Sequence, residues 1–355
     1  MMFAGYGLIA LSTIYFTFFI FRFLKLFLKI TVPFWLLTII YFVVFLISRP
    51  ALHFLNIEAV VYFHILVVAL FLEILYFFVK KYRIWQYLIP TGLLCVVIVA
   101  MIFGYGYYNM HHVVEKDYIL NSDKISDLKI AVIADLHMGL SMDLADLEDL
   151  CNEISQKKAD IIVLDGDIFD EYTTYQQMKE SCKILSSIYN TKGIYYVYGN
   201  HDSNLYTSTP QYQSENIRDE FEKNHVTVLD DEIKMIDNIT IIGRGDARFY
   251  NDGNRLEMKE LYQNKTDENY VIVLDHQPLD LELNASLGCD LQISGHTHGG
   301  QLFPQGLIQS LTSDTLVYGK RTIDDFTAIT TSGIAGWRYP IKTGAPCEYL
   351  IIEVK

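Results

Sequence analysis

Five short segments, each following directly on an apolar, β-rich run, carry side chains that ligate metals. They are Asp135-Leu136-His137, Gly166-Asp167-Ile168-Phe169-Asp170, Gly199-Asn200-His201-Asp202, His276-Gln277-Pro278 and Gly295-His296-Thr297-His298-Gly299-Gly300-Gln301. Such distant residues meet in one place only if the runs before them lie side by side and parallel. The segments then share the carboxyl edge, where open sheets bind ligands. Carboxylate, imidazole and amide oxygen, with no cysteine in the set, suit Mn, Fe or Zn pairs rather than a structural zinc knot. Asp135 and His137 are two apart, so an extended backbone points both the same way.

The spacing between these segments supports that geometry. A strand-like run over 128–134 is followed by a helical pattern over 144–157, a strand at 161–164, a helix at 175–188 and a strand at 194–198. Strand, helix, strand at this interval means parallel strands joined by crossover helices. Further strands are expected at 226–229, 239–242, 271–274, 291–294, 326–331 and 349–354, and another begins near Val113. The predicted fold class is an α/β domain: a two-sheet sandwich flanked by helices.

Residues 1–108 are of another kind. Four apolar stretches, 3–21, 31–48, 57–79 and 86–108, are each near the ~20 residues that cross a bilayer core as helix. They predict a four-helix transmembrane region over 1–108 and a catalytic domain over 109–355. Nothing basic precedes the first stretch and no small-residue cleavage site follows it, which argues against a removable signal peptide. Arg22, Lys25 and Lys29 follow the first stretch, and Lys80, Lys81 and Arg83 follow the third, against Arg49 alone after the second. The positive-inside bias predicts a multi-pass protein of the cell membrane with both termini, and the domain, outside the cytoplasm.

Downstream of residue 108 there are 21 basic and 40 acidic residues. A domain so acidic excludes non-specific nucleic-acid binding. Cys95, Cys151, Cys182, Cys289 and Cys347 show no CxxC pair and read as buried free thiols.

Taken in order, D-x-H, GD-x-x-D, GNHD, a lone His before Pro and GHTHGGQ resemble the calcineurin-like metallophosphoesterase superfamily over about residues 128–355. The GHTHGGQ ending together with an N-terminal membrane segment resembles its bacterial membrane-associated branch. The resemblance implies two divalent metal ions (Mn, Fe or Zn). One would be held by Asp135, His137, Asp167 and His298, the other by Asp167, Asn200, His276 and His296, with Asp167 as the bridge. It implies hydrolysis of a phosphoester by water activated between the metals. His201 is implied in proton transfer or leaving-group stabilisation, and Asp202 is expected to orient it. Asp170 is expected to serve a turn or a helix cap.

The remaining features receive plainer readings. Gly166, Gly199, Gly295, Gly299 and Gly300 flank ligands where the backbone must come close. His53, His64, His111 and His112 are expected in packing or interfacial positions, and His225 in a surface turn. Arg244-Gly245-Asp246 reads as a turn, with Arg244 or Arg248 either contacting phosphate or solvated. Ile334-Ala335-Gly336-Trp337-Arg338-Tyr339-Pro340-Ile341-Lys342 and Leu302-Phe303-Pro304 mix aromatic and basic groups. They form either a rim for a lipid-linked phosphate beside the bilayer or ordinary turns packed on the sheet. Three functions follow as expectations: hydrolysis of a lipid or cell-envelope phosphoester or pyrophosphate, hydrolysis of a soluble cyclic nucleotide or phosphomonoester, and non-catalytic membrane sensing. The intact ligand set disfavours the last.

Overall fold

The structure is a computed structural model that describes residues 14–47, 57–203, 206–248, 255–262 and 268–355. The chain divides into two compact units, residues 1–105 and 106–355.

In the first unit, residues 14–23 are helical and run into a π-helical turn, Leu24–Leu28. Next come α1 (Phe34–Ile47), α2 (Ile57–Val79), the short α3 (Arg83–Leu88) and α4 (Leu93–Met110). Among the described residues two helices, Val60–Val79 and Leu93–Met110, are long and apolar enough to cross a membrane. The first expected span lies partly outside the described residues, as do Arg49 and His53. The fourth differs from expectation: the stretch 86–108 is not one helix but breaks between α3 and α4. Pro90 has no N–H to continue α3, and Gly92 takes φ +76°, a turn conformation open to glycine. Arg22, read in the sequence as a loop charge, lies in the helical segment and pairs with Glu73 of α2. His64 is buried, its Nδ1 2.8 Å from the Val60 carbonyl.

The second unit carries β1 (Val113–Leu120), β2 (Leu128–Ile133), α5 (Leu144–Gln156), β3 (Ile161–Asp165), α6 (Tyr175–Leu185), β4 (Gly193–Val197), α7 (Ser214–Lys223) and β5 (Thr227–Val228). It continues through β6 (Glu232–Ile236), β7 (Ile239–Gly243), α8 (Met258–Tyr262), β8 (Tyr270–Leu274), α9 (Leu281–Ser286), β9 (Leu291–Ser294), α10 (Gln305–Thr312), β10 (Gly319–Ile323), β11 (Phe326–Thr330) and β12 (Cys347–Val354). Sheet A has the order β1-β12-β2-β3-β4-β5 and sheet B the order β10-β11-β9-β8-β7-β6. β2 through β5 are parallel, as are β7, β8, β9 and β11. The expected α/β class with two sheets is what forms.

Side-chain alternation builds the layers. Leu128, Ile130 and Val132 of β2 join Ile239, Ile241, Ile272, Leu291 and Ile293 in the core between the sheets. Ala131 and Ile133 turn the other way, onto Leu147 and Leu150 of α5 and Met178 and Cys182 of α6. Strands buried on both faces read as unbroken apolar runs, which is why they were visible in the sequence. Helix starts are equally local: Asp143 and Thr174 form capping boxes with Asp146 and Gln177.

β6 and β10 were not expected. Both are edge strands that carry Glu232, Lys234, Lys320 and Arg321, charge that keeps edges from pairing with other chains and breaks the apolar pattern. All five cysteines are free and buried. His225 occupies an exposed turn after α7, with φ 65°.

Candidate metal centre

The ligand segments leave the carboxyl ends of β2, β3, β4, β8 and β9. Five of the seven candidate ligands have left-handed backbones: Asp135 (φ 51°), His137 (43°), Asp167 (49°), His296 (70°) and His298 (51°). Each such residue costs on the order of 1–3 kcal/mol and persists only where its surroundings over-determine it. The over-determination is visible. Asp135 N–H donates to the Gly166 carbonyl, and His137 N–H to that of Asp167 (both 3.0 Å). Gly199 leaves no room for a side chain: a Cβ there would sit 2.2 Å from Asp167 Oδ1. Gly295 is similar, a Cβ falling 2.6 Å from Asp135 Oδ2.

Two groups of donors result. Asp135, His137 and His298 bring one donor atom each within 4.8 Å of one another, and so do Asp167, His276 and His296. His137 Nε2 lies 3.4 Å from His298 Nε2, and His298 Nε2 lies 3.6 Å from Asp135 Oδ1. Asp167 Oδ2 faces both groups, 3.1 Å from His276 Nε2 and 3.9 Å from His137 Nε2. The rings are oriented from behind: His276 Nδ1 is 2.7 Å from the Asp165 carbonyl, and His298 Nδ1 3.2 Å from that of Ala335. Backing bonds of this kind leave Nε2 free to ligate. Asn200 Oδ1 is buried with no hydrogen-bond partner. An orphaned acceptor of that kind is costly unless a cation satisfies it, so the residues present fit a divalent pair.

Electrostatics follow from burying so many donors. The His276 imidazolium is opposed by burial, but the Asp167, Asp135 and Asp165 carboxylates outweigh it and hold its pKa well above the ordinary value. Burial and then the His137 charge push His298 well below it. Burial likewise raises the Asp135 carboxyl. The pocket thus pairs protons with carboxylates wherever cations are not doing so.

His201 stands beside this cluster with its N–H donating to Asp167 Oδ1 (2.7 Å). The carboxylate on its ring is not the expected one. Glu171 Oε1 is 2.8 Å from His201 Nδ1, whereas Asp202 accepts the Phe169 and Gly199 N–H groups (2.9 and 2.8 Å). The reason is geometric: Asp202 is adjacent in sequence, but its side chain turns inward to tie two ligand-bearing loops together. Burial and the Asp167 charge raise the Asp202 carboxyl to about 7. Asp170 makes a turn, accepting the Tyr172 N–H at 2.8 Å, while Thr174 is the cap of α6. The other carboxylate oxygen of Asp170, Oδ2, stands 3.6 Å from His137 Nδ1.

Around His201 the walls are aromatic, with Tyr206 and Trp337 centroids 4.8 and 5.3 Å from its ring. Arg248 reaches the Tyr206 hydroxyl (3.2 Å). Arg244 is neither solvated nor in a simple turn; it is buried, donating to the Leu256 carbonyl at 3.0 Å. Lys342 departs from the expected rim. It is fully buried, and its ammonium donates to the Ser332, Gly333 and Ala335 carbonyls. Trp337 and Arg338 are half-buried, and Gln301 fastens Trp337 through two hydrogen bonds of 3.0 and 2.9 Å. Sequence reasoning missed Glu171 and Tyr206; for Glu171 the available signal was an acid directly following GD-x-x-D.

A model of the calcineurin-like phosphoesterase family matches residues 128–300. An uncharacterized metallophosphoesterase of Helicobacter pylori is 28% identical over 65% of this chain and 61% of its own length. One from Campylobacter jejuni is 30% identical over 64% of this chain and 59% of its own. A Danio rerio protein described as a transmembrane protein with metallophosphoesterase domain is 24% identical over 74% of this chain and 62% of its own. The chain therefore spans about three-fifths of the length of these relatives. With the ligand segments brought together at the carboxyl ends of strands from both sheets and this match over them, residues 128–300 are a calcineurin-like metallophosphoesterase domain.

Proposed function

We propose that this protein is a membrane-anchored, dinuclear-metal phosphohydrolase that cleaves a phosphoester or pyrophosphate of a lipid or cell-envelope substrate. The observation that carries the hydrolase reading is the convergence of Asp135, His137 and His298 with Asp167, His276 and His296 around buried, unpartnered Asn200 Oδ1. Asp135, His137, Asp167 and His298 would hold one cation, and Asp167, Asn200, His276 and His296 the other. When bound, the pair supplies positive charge to a phosphoryl oxygen and acidifies water.

The chain's own residues do the rest. Asp167, whose Oδ2 faces both donor groups, would place negative charge between the two cations and so lessen their repulsion. His201, its Nδ1 held by Glu171, retains Nε2 as the nitrogen that would donate a proton to the leaving oxygen. Glu171 orients that ring. Burial opposes the ring's charge, but the Asp167 charge and then Glu171 outweigh it and raise the His201 pKa above its ordinary value. Asp202 stabilises the loop that carries Asn200 and His201. Arg248 and Trp337 line the side from which an organic phosphate would enter.

Membrane anchoring is supported by Val60–Val79 and Leu93–Met110, and the four-span reading extends it over the whole region 1–108. The distribution of Lys and Arg favours an extracytoplasmic domain. The half-buried Trp337 beside His201, with Arg338 over its ring, favours a lipid-linked substrate over a soluble one. A hydrolysis screen of the detergent-purified full chain, with Mn, Fe or Zn restored after chelation, tests this. Turnover of a micellar lipid phosphoester above that of a soluble nucleotide ester is expected; equal turnover leaves only the soluble-substrate reading, and full activity after exhaustive chelation refutes the metal centre.

A further inference from the structure

The turn holding His296 and His298 runs straight into α10, and the two are pressed together: a Cβ on Gly306 would lie 2.4 Å from the Gly299 carbonyl oxygen. α10 is eight residues long and buries none of them. Phe303, Leu307, Ile308 and Leu311 are instead 52–76% exposed. An isolated helix this short is marginal in water without tertiary packing of an apolar face, so these side chains call for a partner.

The end of α4 indicates which. Its last residues belong to the second unit and are built into it. Asn109 donates to the Lys342 and Ala345 carbonyls (2.9 and 2.8 Å) and accepts the Cys347 N–H. A Cβ on Gly106 would meet Thr343 Cγ2 at 2.7 Å. Thr343 Oγ1 in turn accepts the Phe303 N–H at 3.0 Å. Phe303 is thus linked through Thr343 to Gly106, near the carboxyl end of the apolar helix. That end carries Tyr107 and Tyr108, both 58% exposed, the residue type that marks the level of lipid headgroups.

We infer that α10 is an interfacial helix, lying on the bilayer that α4 crosses with Phe303, Leu307, Ile308 and Leu311 inserted among the headgroups. The apolar face supplies the buried area that such helices need. Because Gly299 and Gly306 are in contact, docking of α10 sets the double-histidine turn at the lipid surface, where phosphoesters of membrane lipids present themselves. The inference rests on the membrane-anchored reading.

The test uses the full chain in nanodiscs of phosphatidylcholine and phosphatidylglycerol. A fluorophore is attached at Leu311→Cys or, as control, at Met235→Cys on the edge strand β6; the native cysteines are buried. Lipid-borne nitroxide is expected to remove most of the emission at 311 and little at 235, with aqueous iodide doing the reverse. Iodide access at 311 equal to that at 235 overturns the inference. So does a disulfide-linked dimer of the unlabelled Leu311→Cys variant, which would assign the face to a second copy. The readout needs no turnover. A protein that hydrolyses nothing would defeat the phosphohydrolase reading and leave this one standing; a chain that does not enter nanodiscs would defeat the anchoring and this inference with it.

Discussion

Sheet A brings two carboxylates, an amide and two imidazoles to the pocket (Asp135, Asp167, Asn200, His137 and His201), while sheet B contributes His276, His296 and His298. The acid next to the sheet B ligands, Asp275, is occupied by Arg255. Both carboxylates are thus gathered on one sheet edge, and imidazoles alone on the other. Neither edge is a metal site alone: carboxylates by themselves repel, and three histidines lack a bridge. Closure of the sandwich on its shared apolar core is what assembles the centre, so packing between the sheets and chemistry at their edge are linked.

The sharpest way to break this comparison is to remove the group that serves both sides. Asp167→Asn should lower kcat by about a thousandfold and reduce bound metal below two per chain by elemental analysis, with circular dichroism unchanged. Two metals retained at full activity would remove Asp167 from the bridge. The link to packing is tested by Ile272→Ala, which leaves every ligand in place but opens the core between the sheets. It should destabilise the domain by about 2–5 kcal/mol and weaken metal binding in a titration. Loss of stability with metal affinity intact would show that the edges align without the core. His201→Ala should cost about a hundredfold in kcat while both metals stay bound, separating proton transfer from ligation. The smallest expected effect separates two acids on sheet A. Glu171→Gln should reduce kcat about tenfold with little change in melting temperature, whereas Asp202→Asn should act chiefly on stability. The reverse pattern would return the orienting role to Asp202.

The contrast between the two regions of the chain also bears on what could be read without coordinates. β2, β3, β8 and β9 were legible because a strand buried on both faces must be apolar throughout, and the capped helices α5 and α6 because their starts are local. Edge strands β6 and β10 were not, since one exposed face erases the pattern. The split between α3 and α4 passed as one apolar span because Pro90 and Gly92 interrupt hydropathy only weakly, though they end a helix decisively. Within the site, the convergence of donor side chains was legible, but Glu171 and the burial of Lys342 were not: a side chain's partner across a fold is set by packing direction rather than by neighbours along the chain.

By itself the sequence determined that apolar runs would end in segments rich in Asp, His and Asn on parallel strands, because burial on two faces and short polar turns are properties of contiguous residues. Only the tertiary structure decided that Asp167 faces both donor groups, that Glu171 rather than Asp202 holds His201, and that α10 keeps its apolar face outward. Those outcomes depend on how two sheets pack and on which directions remain open, and contacts between distant residues are a property of the packed solid.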